Sequence, residues 1–355
     1  MSATIEPLKS SSRPRTEPLL QVATRRSPAP EYSCRDGVWQ VPHDLDLFHG
    51  GRLEAPRIAW RLVGPADAPM VCALGGISAD RRVCLTDDPR ASWWAEIAGP
   101  GLPLDADHYR ILSFDFLGAG ASSSPAPGTH FPSLSTYDQA EALAALLDHL
   151  GINALRAIAG GSYGGMVALA FAERYPDRVA ALLVIGAADR AHPMATAWRT
   201  TQRNIVRFAI ESGNAARGLE LARALAMTTY RTGEEFAARF DGVPSRDGGE
   251  FVFPVERYLH ARGRAYAARH RAESFLCLSE SIDLHRVDAA RIFVPTCAVA
   301  VREDQLVPLT DVRATVARLA HGRLHEISSV YGHDAFLKEA GQLRSVFARV
   351  LGEIP

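Results

Sequence analysis

The sequence carries little that points to a membrane, a metal or a nucleic acid. No apolar run approaches the roughly 18 residues that span a bilayer, and the first residues lack the apolar core of a secretory signal. A cytoplasmic location with no membrane contact is the expectation that follows. The five cysteines (Cys34, Cys72, Cys84, Cys277 and Cys297) are dispersed, and none forms a C-x-x-C pair of the kind that grips a metal. Reduced thiols, most of them buried, are therefore expected, with no metal and no permanently bound cofactor. An excess of one charge is also missing. The formal net charge is -1 with both signs scattered, which argues against nucleic acid as the main partner and leaves small molecules.

What is present is organised around residues 155–172, LRAIAGGSYGGMVALAFA. A short apolar run of strand type leads into Gly160-Gly161-Ser162-Tyr163-Gly164-Gly165, and a helical run follows. Strand, tight turn and helix in that order fit G-x-S-x-G, the nucleophile elbow, in which small residues let a strained serine stand above a sheet. Ser162 is the candidate nucleophile. The same pattern also occurs as an ordinary strand-to-helix turn, so the context downstream decides between the two.

That context has the α/β-hydrolase order of serine, acid and histidine. Residues 292–301, IFVPTCAVAV, read as a strand ending at Arg302-Glu303-Asp304-Gln305, and residues 324–328 form a shorter one running into Tyr331-Gly332-His333-Asp334. A serine hydroxyl is a poor nucleophile at neutral pH and needs a base within about 3 Å, itself oriented by an acceptor. His333 is assigned as base and Asp304 as orienter. Glu303 is the rival orienter, set aside because adjacent side chains at a strand end point apart. The loop after the strand at residues 70–74 should supply one oxyanion donor, the Ile77 N–H, and the elbow the other, the Tyr163 N–H.

Elsewhere the pattern β, α, β, α, β through residues 70–185 predicts a mostly parallel sheet with helices on both faces. Antiparallel strands around Gly50-Gly51 should open it. Residues 188–288 turn mostly helical and interrupt the sheet, which predicts a helical cap over the active site. The core is then 33–187 with 289–355. With 355 residues the chain has room for one such domain and its insertion. Residues 1–32 are rich in Ser, Pro and Arg without periodicity and read as a disordered arm, with Arg13, Arg15, Arg25 and Arg26 solvated rather than gripping an acidic partner.

Five separated segments resemble the homoserine O-acyltransferases of the α/β-hydrolase superfamily. They are Gly160 through Met166, Gln202-Arg203-Asn204-Ile205, Met227-Thr228-Thr229-Tyr230, Val255-Glu256-Arg257-Tyr258-Leu259 and Tyr331 through Leu337. The resemblance covers roughly residues 55–350. It implies a ping-pong reaction in which Ser162 takes an acyl group from an acyl-CoA co-substrate and passes it to the hydroxyl of L-homoserine, in methionine biosynthesis. It implies further that Arg203 holds the amino acid carboxylate and Asp334 its ammonium group, that Tyr230 lines the pocket, and that a homodimer through the cap is possible.

The chain departs from the family at Gly75-Gly76-Ile77-Ser78-Ala79, commonly His-Ala-Leu-Thr-Gly, and at Tyr163, commonly methionine. Both departures are expected to border the acyl group. The donor, succinyl-CoA or acetyl-CoA, is read as succinyl-CoA because Arg81 and Arg82 offer a partner for a second carboxylate. Serine in place of homoserine remains open, since one methylene is worth only about 1 to 3 kcal/mol of discrimination. So do hydrolysis of a small ester by the same triad and a binding-only role for the capped pocket.

Overall fold

The computed structural model describes residues 33–352, so the arm expected at residues 1–32 lies outside the described residues. Eight strands make the main sheet: β1 (Cys34–Gln40), β2 (Arg57–Val63), β3 (Met70–Leu74), β4 (Arg110–Phe114), β5 (Ala157–Gly161), β6 (Leu182–Ile185), β7 (Thr296–Val301) and β8 (Gly322–Ile327). Their order across the sheet is β1-β2-β4-β3-β5-β6-β7-β8. β1 and β2 pair antiparallel, as do β2 and β4, and every later pairing is parallel. A short antiparallel pair, Leu45–Asp46 with Arg52–Leu53, turns at Gly50 and Gly51, both at positive φ.

The central strands are apolar on both faces because both are covered. Cys72, Leu74 and Ile158 face one core, together with α1 (Thr136–His149) and α2 (Tyr163–Arg174). Their neighbours Val71, Ala73, Ala157 and Ala159 face another, which includes Trp94, Leu343 and Phe347. That is the period-2 alternation of a buried parallel sheet. Between β6 and β7 come five helices, α3 (Pro193–Glu211), α4 (Ala215–Tyr230), α5 (Gly233–Phe240), α6 (Pro254–Ala267) and α7 (Ala272–Asp283). The insertion also holds a hairpin, Ser245–Asp247 with Glu250–Val252, absent from the sequence reading because its side chains are almost all exposed and leave no apolar alternation. α8 (Leu309–Arg318), the short α9 (Ala335–Lys338) and α10 (Ala340–Gly352) complete the chain. Among the described residues no helix is long and apolar enough to cross a membrane.

The turn between β5 and α2 is very tightly packed. A Cβ on Gly160 would fall on the Gly164 carbonyl, and one on Gly164 would fall on the Leu74 carbonyl at the end of β3. Helix and sheet therefore touch backbone to backbone, and the Gly164 N–H donates to Gly75 O at 2.9 Å. Gly164→Ala should lower stability by about 1–3 kcal/mol, as overpacking typically does. Chemical denaturation checks this, and an unchanged midpoint would show that the helix can retreat without cost.

Candidate active site

The elbow fixes Ser162 at φ 54° and ψ −121°, a conformation that a non-glycine residue holds only when its surroundings impose it. Three backbone bonds impose it here. The Ser162 N–H donates to Ile185 O at 2.8 Å, and its carbonyl accepts from Gly165 and Met166 at 2.9 and 3.2 Å. The hydroxyl then stands above the ends of β5 and β6. It donates to His333 Nε2 at 2.8 Å, and His333 Nδ1–H donates to Asp304 Oδ2 at 2.6 Å. The other Asp304 oxygen accepts from the Leu306 and Val307 amides at 2.8 and 3.0 Å, which holds the carboxylate still. Serine, base and orienter come from the loops after β5, β8 and β7, and all three assigned residues are brought together.

His333 and Asp304 are buried, at 6% and 5% exposure. Burial alone would push the imidazole down. The Asp304 charge and hydrogen bond outweigh it, Asp334 adds to them, and His333 is held above its ordinary value of 6.5. Glu303, the rival orienter, points the other way, to Ser328 and to the Ser329 N–H.

The loop after β3 closes the other side. Ala79 N–H donates to Gly76 O at 2.9 Å in a tight turn, and Gly76, Ile77, Ser78 and Ala79 border the same cavity as Ser162. Among the described residues the amides of Ile77 and Tyr163 have no protein acceptor. Two free N–H groups flanking a serine are what a tetrahedral oxyanion needs.

The cavity runs from this floor to the cap, whose Trp198, Arg199, Gln202, Arg223, Thr229 and Tyr230 form the facing wall. Tyr230 takes the expected place, 6.2 Å from His333 between ring centroids. Asp334 also lines the cavity. One of its oxygens accepts from Arg231 Nε at 2.9 Å, while the other has no partner among the described residues. Arg231 is held in turn by Glu235 at 2.9 Å. It follows directly on the matched run ending at Tyr230, yet the sequence reading passed it over. Arg199 and Arg223 were missed as well, because nothing in a helical run marks which arginine faces a cavity.

Three expectations need correction. Arg81 and Arg82 do not line the cavity. Arg81 donates from its Nη1 and its backbone N–H to the buried Asp115, at 2.7 and 2.8 Å, bracing the loop after β3 against the loop after β4. Arg82 pairs with Asp80 at the surface. Arg203 also stands behind the wall, its Nη1 2.5 Å from Asp283 and 3.0 Å from Ser279 O; one step along α3 from Gln202 rotates it toward α7. The Tyr163 side chain does not border an acyl group either. It is fully buried, with its ring edge-to-face on Phe116 and its hydroxyl 2.6 Å from Ser281 Oγ.

A serine relay under free amide donors, set on a sheet of this order, defines an α/β hydrolase. The family model for the alpha/beta hydrolase fold matches residues 84–340. The chain is 44% identical over 310 residues to a homoserine O-succinyltransferase from Xanthomonas campestris, covering 87% of this chain and 82% of that one. It is 34% identical over 355 residues to a homoserine O-acetyltransferase from Symbiobacterium thermophilum, covering 87% and 92%. The crystal structure of a homoserine O-acetyltransferase from Bacillus anthracis superposes with a TM-score of 0.79 at 16% identity, over 91% of this chain and 98% of that one. The chain belongs to the homoserine O-acyltransferase family of the α/β hydrolases, and it is an acyltransferase.

The relay makes a signed prediction. His333 accepts a proton only when neutral, so kcat/KM should fall as pH drops through its raised pKa, giving an acid limb above 6.5. Asp304→Asn removes the contact that raises it and leaves burial in command, so the limb should move down. The rate should also fall roughly 10³- to 10⁴-fold, since the amide cannot hold the required tautomer. A pH–rate profile of both proteins checks this, and a limb that stays put would separate Asp304 from the base.

Proposed function

We propose that the protein transfers a succinyl group from succinyl-CoA to the hydroxyl of L-homoserine through a Ser162 ester, serving methionine biosynthesis. In the first half-reaction Ser162 Oγ attacks the thioester carbonyl as His333 takes its proton. The carbonyl oxygen becomes an oxyanion held by the Ile77 and Tyr163 amides, and the thiol leaves with the proton from His333. In the second, His333 takes the proton of the homoserine hydroxyl, that oxygen attacks the Ser162 ester, and the proton returns to Ser162. Each half uses the same donors, as a ping-pong mechanism requires. The Asp334 oxygen left free by Arg231 matches the ammonium group of the acceptor.

The observation that carries the donor is a carboxylate shared by two arginines. Asp283 lies 2.7 Å from Arg199 and 2.5 Å from Arg203, so the wall keeps one positive charge beyond what Asp283 neutralises. Arg199 is the one of the two that borders the cavity. Its Nε donates to Asp283 at 2.8 Å, which sets the guanidinium at the edge of the cavity. An acyl group ending in a second carboxylate matches that remaining charge. Arg199 thus takes the part first expected of Arg81 and Arg82. The relative from Xanthomonas campestris, named a succinyltransferase, supports the same donor.

Measuring thiol release with acetyl- or succinyl-CoA, crossed with homoserine or serine, tests the proposal. Fast release only with succinyl-CoA and homoserine is expected. Release that ignores the acceptor supports hydrolysis, and a preference for serine changes the acceptor. Arg199→Gln should lower kcat/KM for succinyl-CoA roughly 10- to 100-fold, the equivalent of losing one charged hydrogen bond of about 1.5–3 kcal/mol, and leave acetyl-CoA nearly unaffected. Equal losses for the two donors would remove Arg199 from this role.

A further inference from the structure

Beyond residue 301 the backbone ladder that joins β7 to β8 runs out. Val301 pairs with Ile327, and the Arg302 N–H adds one last bond to Ile327 O at 3.0 Å. The acid loop then turns back, with the Asp304 N–H donating to Val301 O at 3.2 Å. Residues 328–332 lead on to His333 without strand partners. Yet the 2.6 Å bond from His333 to Asp304 requires these two loops to keep a fixed separation.

The carboxylate of Glu303 spans that gap. One of its oxygens accepts from Ser328 Oγ, and the other accepts from the Ser329 N–H at 2.8 Å. Ser329 is itself buried and fully engaged. Its hydroxyl donates to Glu339 at 2.6 Å and accepts from the Tyr331 N–H at 3.1 Å, and its carbonyl accepts from the Gly332 N–H at 3.0 Å. Gln342 donates to both Ser328 O and Glu339, at 3.0 and 2.8 Å. Two consecutive residues of the acid loop thus seize one histidine loop at two places, Glu303 at its start and Asp304 at its end.

We propose that Glu303 is a positioning residue that clamps the loop of the acid to the loop of the base, and so sets the contact between Asp304 and His333. The inference rests on the triad described above and not on the choice of acyl donor or acceptor. Burial works to raise the Glu303 carboxyl, but the bonds from Ser328 and Ser329 outweigh it, so the group is held below its ordinary 4.5 and the clamp stays charged where the enzyme works. Glutamine can keep both bonds, its Oε1 accepting from the Ser329 amide and its NH₂ donating to Ser328 Oγ, whereas alanine removes both. The histidine loop is then free to drift, and misplacement of about 1 Å can cost 10²-fold in rate.

The test uses a p-nitrophenyl ester, which reports acylation of the serine without any CoA or amino acid. Wild type, Glu303→Ala, Glu303→Gln, Ser328→Ala and Ser162→Ala are compared across pH, with the thermal midpoint of each. Glu303→Ala should acylate about tenfold more slowly or worse, with its acid limb shifted toward lower pH as His333 loses contact with Asp304 and with KM for the ester unchanged, whereas Glu303→Gln, able to keep both bonds, should stay near wild type. Ser328→Ala, which removes one bond of the clamp, should fall between. A purely structural role would lower the midpoint or the active fraction and leave the limb of the surviving enzyme in place, and that result overturns the proposal. Wild type that acylates no faster than Ser162→Ala overturns the triad itself, and the clamp with it.

Discussion

Everything at the active site depends on one close approach, the first turn of α2 against the end of β3. Because Gly160 and Gly164 carry no side chain, backbone meets backbone there, and the chain between them has no room to relax. Ser162 is thereby forced to a positive φ that costs of order 1–3 kcal/mol. The same approach aims its oxygen at His333 and leaves the first amide of α2 unpaired beside it. Nucleophile, oxyanion donor and helix start are one device. Gly161 extends it, since a Cβ there would lie 2.5 Å from the ring of Phe336, and that ring in turn packs edge-to-face on His333 at 5.9 Å.

Charge at the site is arranged by sharing. Asp304 spends one oxygen on two amides and the other on His333. Asp283 is divided between Arg199 and Arg203, and Arg231 between Asp334 and Glu235. A buried ion is tolerated when each of its polar atoms is met, and an unmet one invites a ligand. By that criterion the Asp334 oxygen that has no partner among the described residues is where the wall is unfinished.

Chain order made the triad legible before any coordinates. Ser162, Asp304 and His333 each follow a strand, and a parallel sheet collects such loops at one edge. The wall of the cap was not legible in the same way. Arg203 and Arg199 sit on one helix four residues apart, and only the position of α7 decides that one faces Asp283 from behind while the other reaches the cavity. Arg81 looked available because its partner Asp115 lies in a different loop, brought near by the pairing of β3 with β4. Tyr163 looked like a pocket residue because its amide is one, yet the first turn of a helix sends amide and side chain in different directions. Periodicity locates a residue on an element; it does not reveal what that element is packed against.

Transfer rather than hydrolysis requires that water be kept from an ester that a hydroxyl can reach, and the cap is the part of the fold able to do it. It is not loosely hinged. At the junction of α4 and α5, Thr232 Oγ1 donates to Val330 O at 2.7 Å, and a Cβ on Gly332 would lie 2.8 Å from Tyr230 O. Between these contacts Arg231 reaches Asp334, with both side chains largely buried. Lifting this corner of the cap would strand a buried charge, at a cost of about 3–5 kcal/mol. It would also pull on the loop that carries His333. Cover and base are therefore fastened together, and the same bonds that seat His333 hold Tyr230 in the cavity beside it. A cap fixed to the histidine loop cannot swing away without moving that loop, so the α3 and α4 side chains that line the cavity stay over Ser162.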